Sequence, residues 1–193
     1  MKILKVIGFV LASLIVLFLI ATAFLSPKSH MERAIVKEAS PADVFQVINN
    51  YKNFNKWSPW AQLDPNTKYT FEGPESGVGA KMSWSSEDKN VGTGSQWILE
   101  SDENKRIKTQ MQFGEMSGTY TSEIILSPIE GGTDITWTYD GDVTGTGIAS
   151  PVYIVMSLFM DKFLGPMYEE GLVKLKAVAE SQRAAQTDST LVK

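Results

Sequence analysis

Hydrophobic and polar positions follow three rhythms along this chain. From Val6 to Leu25 no residue is charged, and the run is apolar with a few small residues interspersed. Twenty residues at 1.5 Å each reach about 30 Å, the thickness of a bilayer's hydrocarbon core. From Lys68 to Val143 the rhythm is two. The runs "KYTFEG", "VGAKMSWSSE", "GTGSQWILES", "RIKTQMQFG", "GTYTSEIILS" and "TDITWTYDGDV" are rich in Thr, Ile, Val and aromatic residues, and Gly, Asn, Asp or Pro divide them. They predict six strands, and their short connections predict an antiparallel meander. Gly131-Gly132 marks a hairpin, because glycine adopts positive φ without a Cβ clash.

Helical spacing appears twice. In "SPADVFQVINN" (40–50), Ser40 is placed to cap, Pro41 stands at the first helical position, and Val44, Phe45, Val47 and Ile48 form one apolar face. "SPVYIVMSLFMDKFLGPMYEEGLVKLKAVAESQ" opens the same way with Ser150 and Pro151, and Gly165-Pro166 predicts a bend or break in its middle. "ERAIVKEA" before the first helix reads as a further strand. Residues 183–193 lack apolar periodicity and read as a frayed tail.

The order is therefore strand, short helix, aromatic loop, six strands and long helix. A sheet cannot bury its apolar face alone, and the C-terminal helix is the only element large enough to cover it. The expected architecture is α+β: a curved antiparallel β-sheet wrapped around a long C-terminal α-helix, preceded by one N-terminal transmembrane helix. The expected division is an anchor over 1–27, a folded domain over 28–182 and a tail over 183–193.

The N-terminal segment has a competing reading. "ATA" at 21–23 has the small-x-small form of a signal-peptide cleavage site. Its apolar run, however, is longer than a signal core needs, and Phe24-Leu25 continue it past the cut. An uncleaved anchor is the preferred reading. Lys2 and Lys5 favour a cytoplasmic amino end and an extracytoplasmic domain, although Lys28, Arg33 and Lys37 follow on the other side.

Composition narrows the chemistry. The chain has no cysteine and one histidine, His30, which removes thiol nucleophiles, disulfides and His-based metal clusters and leaves no Ser-His-Asp triad to expect within the domain. The net charge is −4, and the two lysines of residues 1–27 leave −6 on the remainder. An acidic domain without a basic run gives nucleic acid nothing to bind. "GVGA" (77–80) and "GTG" (92–94) lack the phosphate-loop pattern and its following helix, so they read as turns and bulges. No cofactor or metal is expected.

Several strings, in order, resemble the SRPBCC superfamily, the START-related helix-grip fold, and within it the polyketide cyclase/dehydrase and lipid transport branch. They are "ASPADVFQVINNYKNFNKWSPW", "GPESGVGAKMSW", "GTGSQWILES", "GGTDITWTYDGDV" and "EEGLVKLKAVAE", together covering about residues 33–181. The resemblance implies a cavity between sheet and helix, with the loop after the short helix near one end of it. The superfamily hosts ligand carriers, sensors and a few enzymes on one scaffold.

Strand alternation gives the inward set. Ile135, Trp137 and Tyr139 share a face, as do Ile107, Thr109, Met111 and Phe113; Ala80, Met82 and Trp84; and Tyr120, Ser122, Ile124 and Leu126. "SQWILE" is ambiguous, because Trp97 and Leu99 compete with Ile98. The candidate ligand-binding residues are Trp57, Trp60, Met82, Trp84, Met111, Phe113, Tyr120, Trp137, Tyr139, Met156, Met160 and Phe163. Methionine adapts to varied apolar shapes, and Trp57 and Trp60 either pack the loop onto the sheet or rim an entrance, two roles that are compatible.

The leading expectation is a membrane-anchored domain that binds a small hydrophobic or amphipathic ligand, lipid included. Two alternatives stand beside it. One is a cyclase- or hydratase-like enzyme using a cavity carboxylate, Glu100 or Glu123, with Glu100 turned inward if Ile98 is. The other is a partner-binding module with a solid core.

Overall fold

The computed structural model describes residues 2–147 and 150–191, without the side chains of Lys37 and 182–191. Helix α1 (Lys2–Thr22) is followed by β1 (Lys28–Lys37) and α2 (Pro41–Ile48), then short helical turns over 51–63 that include α3 (Phe54–Trp57). Six strands follow: β2 (Lys68–Glu72), β3 (Lys81–Ser85), β4 (Thr93–Asp102), β5 (Arg106–Phe113), β6 (Thr119–Ile129) and β7 (Gly132–Asp142). Helices α4 (Ser150–Ser157) and α5 (Met160–Leu191) close the chain.

All seven strands form one antiparallel sheet in the order β1-β7-β6-β5-β4-β3-β2. β2 to β7 are the expected meander, and β1 returns to the far side of β7, with Lys28 opposite Asp142 and Lys37 opposite Thr133. Gly131 turns the β6–β7 hairpin at φ 81°, where a side chain would be strained. α2 starts as its sequence dictates. The Ser40 hydroxyl accepts the Asp43 N–H at 3.2 Å, the Asp43 carboxylate accepts the Ser40 N–H at 3.3 Å, and Pro41 opens the first turn.

The main core lies between the inner face of β1 and β5–β7 on one side and α2, α3 and α5 on the other. Its α5 face is Leu164, Tyr168, Leu172, Leu175 and Ala179, spaced four, four, three and four residues apart. A smaller cluster of Tyr51, Ala80, Met82 and Ile98 continues it toward β3 and β4.

One expectation about the last helix is corrected. The break falls at Leu158-Phe159, where the N–H of Leu158 bonds Val155 O and that of Phe159 bonds Met156 O, closing α4 with tight turns. Pro166 instead sits inside α5, which tolerates the lost bond. Gly165 serves packing: a Cβ there would stand 2.2 Å from Arg33 Nη2. α5 also runs past residue 182 to Leu191, while Val192 and Lys193 of the expected tail lie outside the described residues.

Candidate ligand cavity

The sheet and α5 do not meet everywhere. Between them is a cavity of about 260 Å³, walled by residues of β2 to β7, Tyr69 being the one from β2, by Leu164 and Tyr168 of α5, and by the 48–60 segment. The β3–β4 loop adds Asn90 and Val91 to its rim. The strand contribution follows from period-two alternation: Met82 and Trp84 from β3, Gln96 from β4, Ile107, Thr109, Met111 and Phe113 from β5, Ser122 and Ile124 from β6, and Trp137 and Tyr139 from β7.

Trp57 is buried and meets Trp137 edge-on, ring centroids 5.1 Å apart. Trp60 is half-buried and stands edge-on to both Trp137 at 6.2 Å and Tyr168 at 6.1 Å. Both tryptophans line the cavity and both pack, so the aromatic stretch after α2 fixes its own conformation by forming one end of the wall. The helix comes close here: a Cβ on Gly171 would be 2.7 Å from the Trp137 ring.

The wall's polar groups are mostly engaged with each other. Trp137 Nε1 donates to Ser122 Oγ at 2.7 Å, and that hydroxyl donates to Thr138 O at 2.9 Å. Tyr51 Oη and Thr109 Oγ1 are 3.2 Å apart, and Trp84 Nε1 donates to Val91 O at 3.2 Å. Trp57 Nε1, Ser58 Oγ and Gln96 Nε2 are buried without a partner. Burial pushes the phenols of Tyr51, Tyr139 and Tyr168 well above the ordinary tyrosine range, so all three stay neutral hydroxyls.

No lining residue is charged, and ten of the twenty-two are aromatic. Glu100 and Glu123, the two carboxylates considered for catalysis, are not among them. Ile98 does point inward, but the register shifts between Ile98 and Glu100, and this bulge returns Glu100 to the outer face opposite Lys108. There Arg106 gathers both: Nη2 donates to Glu100 at 2.5 Å, Nη1 to Glu123 at 2.5 Å, and Nε to Asp102 at 2.7 Å.

Of the twelve sequence candidates, Trp57, Trp60, Met82, Trp84, Met111, Phe113, Trp137 and Tyr139 line the cavity. Tyr120 lies just behind the wall, its ring 5.3 Å from Phe113. Met160 packs on the core beyond the cavity. Met156 and Phe163 face away from the sheet, 46% and 65% exposed, because the inward stripe passes through Tyr153, Ile154, Met160, Leu164 and Tyr168. Tyr168 and Leu164 were missed, yet the 164-168-172-175 spacing carries them. Tyr51, Phe54 and Ser58 were missed because no period runs through short helical turns, and Gln96 because the phase of "SQWILE" on β4 was ambiguous.

The chain belongs to the family described as polyketide cyclase / dehydrase and lipid transport, whose pattern it matches over residues 28–180. No curated protein matches the chain. Among solved structures it is similar to protein CV1439 from Chromobacterium violaceum, at 18% identity and a TM-score of 0.53, covering 79% of this chain and 97% of that one. It is similar to norcoclaurine synthase from Thalictrum flavum, solved with a transition-state analogue, at 17% identity, TM-score 0.58, and 81% and 96% coverage. It also resembles the di-domain ARO/CYC StfQ of the steffimycin biosynthetic pathway, at 11% identity and TM-score 0.61, covering 81% of this chain and 52% of StfQ. At these identities the likeness is one of fold: a helix-grip domain of the SRPBCC and Bet v 1-like kind.

Proposed function

We propose that this domain binds a small, uncharged, apolar or amphipathic molecule, lipids included, and is held at a membrane by α1 with the domain on the extracytoplasmic side. One observation carries the reading: a 260 Å³ cavity between sheet and helix whose lining has ten aromatic rings and no charged side chain. Such a wall attracts apolar area and repels an ion, since an unpaired charge is costly to bury. The family's description supports small hydrophobic ligands as a class. The norcoclaurine synthase neighbour, solved with a transition-state analogue, supports a fold that can hold a small molecule.

The unpartnered Trp57 Nε1 and Gln96 Nε2 favour an amphipathic ligand over a pure hydrocarbon. Each buried donor without a partner costs about 1–3 kcal/mol, and rotation of the Gln96 amide toward a ligand acceptor would relieve one of them. Catalysis by a cavity carboxylate has no residue to rest on among the described residues. α1 supports the anchor: it is 21 residues long, with a mean hydropathy of 2.9 over its most apolar window and none of that window buried.

The test compares wild type with Met111→Trp, which fills the cavity from β5. Both are isolated in lipid nanodiscs, denatured and extracted, and the extracts compared by mass spectrometry. A small molecule enriched with wild type and absent from the variant is expected. Identical extracts, with no thermal shift of wild type against a panel of lipids and neutral aromatics, would overturn the reading.

A further inference from the structure

Helix α4 and the first turn of α5 carry more apolar surface than the core covers. Tyr153, Ile154 and Met160 face the core, while Val152, Met156, Leu158, Phe159 and Phe163 face outward, between 46% and 65% exposed. Val152 and Met156 on α4 are one helical turn apart, as are Phe159 and Phe163 at the start of α5, on the two sides of the break between these helices. None of them lines the cavity. Several large apolar side chains left exposed along two successive helices mark a surface with a partner.

The chain's own connectivity says where this surface lies. Only five residues, Ala23 to Pro27, separate α1 from β1, so Lys28 stands within about 22 Å of the end of α1. Lys28 pairs with Asp142 at the end of β7, and the chain reaches α4 at Ser150 soon after. α4 packs against α1, and Thr22 in the last turn of α1 is buried. Phe24, just beyond, is 87% exposed. The opposite end of the sheet, the β6–β7 hairpin at Glu130-Gly131, is a full β-strand away.

We infer that these side chains form a lipid-contacting surface: Val152, Met156, Leu158 and Phe159, with Phe24, lie in the bilayer interface beside α1 and fix the domain against the membrane rather than leaving it swinging on a tether. The inference rests on the reading of α1 as an anchor. A second copy of the chain is the rival occupant. Lipid is favoured because α4, which carries Val152 and Met156, packs against α1, whose own apolar surface is exposed. Contact by apolar side chains needs no anionic lipid, which suits a domain of net charge −6 outside the anchor.

The full chain has no cysteine, so single cysteines report position directly. Met156→Cys, Phe159→Cys, Leu14→Cys and Glu130→Cys are labelled with an environment-sensitive fluorophore in phosphatidylcholine vesicles containing doxyl lipids. Each variant is first checked for a thermal transition like that of wild type. The expected result is blue-shifted emission and several-fold greater quenching by interfacial doxyl groups at 156 and 159 than at 130, unchanged by high salt. Quenching at 14 with water-like emission at 156 and 159 overturns the inference and leaves the anchor standing. A label at 156 or 159 that is shielded but not quenched by lipid also overturns it, in favour of a second copy. Absence of quenching at all four positions overturns the anchor as well.

Discussion

The rings of Trp137 and Tyr168 lie 3.9 Å apart and 24° from parallel, joining the centre of β7 to α5 across the edge of the cavity. Trp137 is held by its bond to Ser122, and Trp57 and Trp60 abut it edge-on. Tyr168 is therefore the helix's contribution to an aromatic wall that the sheet has already oriented. Truncation of Tyr168 to Ala is expected to destabilise the protein by about 3–5 kcal/mol, as for other buried aromatics. Tyr168→Leu, which restores apolar volume without the ring, should recover all but about 0.5–1.5 kcal/mol. Urea unfolding of the two variants checks this: a Tyr168→Leu protein as stable as wild type would show that stacking adds nothing beyond burial, and one as unstable as Tyr168→Ala would contradict the recovery.

Gly165 and Arg33 pose a question of sign. Arg33 Nε donates to Glu169 at 2.7 Å, and Nη1 meets Asp161 at 2.8 Å, so one guanidinium clamps two turns of α5. Alanine in a helix interior is normally worth about 1 kcal/mol over glycine. Here its Cβ would stand 2.2 Å from Arg33 Nη2, displacing the clamp. Gly165→Ala should therefore bring no gain in wild type but the ordinary gain in an Arg33→Ala background. A double-mutant cycle by thermal unfolding reads the coupling, and additivity of the two changes would contradict it.

The strands were legible because each buries one face, so period two is written into their composition: Ile107, Thr109 and Met111 are buried while Lys108, Gln110 and Gln112 are not. Ser40 and Pro41 likewise announced α2. What the sequence hid is where a period breaks or doubles. A single extra residue, Leu99, moves Glu100 to the outer face, and no side chain around it signals a bulge. α4 is apolar on two faces, so periodicity alone cannot say which one meets the sheet, and Met156 and Phe163 were assigned inward. The missed end of the cavity, Tyr51, Phe54 and Ser58, comes from turns whose side-chain directions are set by tertiary contacts.

Filling the cavity should separate binding from stability. Met111 is buried on β5 and lines the wall, so Met111→Trp adds volume into open space rather than into a packed core. The cost of overpacking, about 1–3 kcal/mol in a filled interior, should be at the low end or absent. Ligand binding, read by thermal shift or tryptophan fluorescence, should be lost. A variant that still binds with wild-type affinity would locate the ligand elsewhere.

Asp64 gives the fold a dependence on acid. The Ser86 hydroxyl donates to its Oδ2 at 2.5 Å and the Asn66 N–H to its Oδ1 at 2.8 Å, tying the segment before β2 to the end of β3. These bonds, the Ser86 one first, hold the Asp64 carboxyl below the usual aspartate range. A carboxyl that is more acidic folded than unfolded stabilises the fold above its unfolded pKa, and the contribution fades as pH falls through the folded value. Removing the Ser86 donor with Ser86→Ala should move the Asp64 midpoint up toward that of an ordinary aspartate. It should also flatten the acid-side decline in stability. Carboxyl-carbon NMR titration of both proteins measures this, and an Asp64 midpoint that does not move would show that Ser86 does not set it.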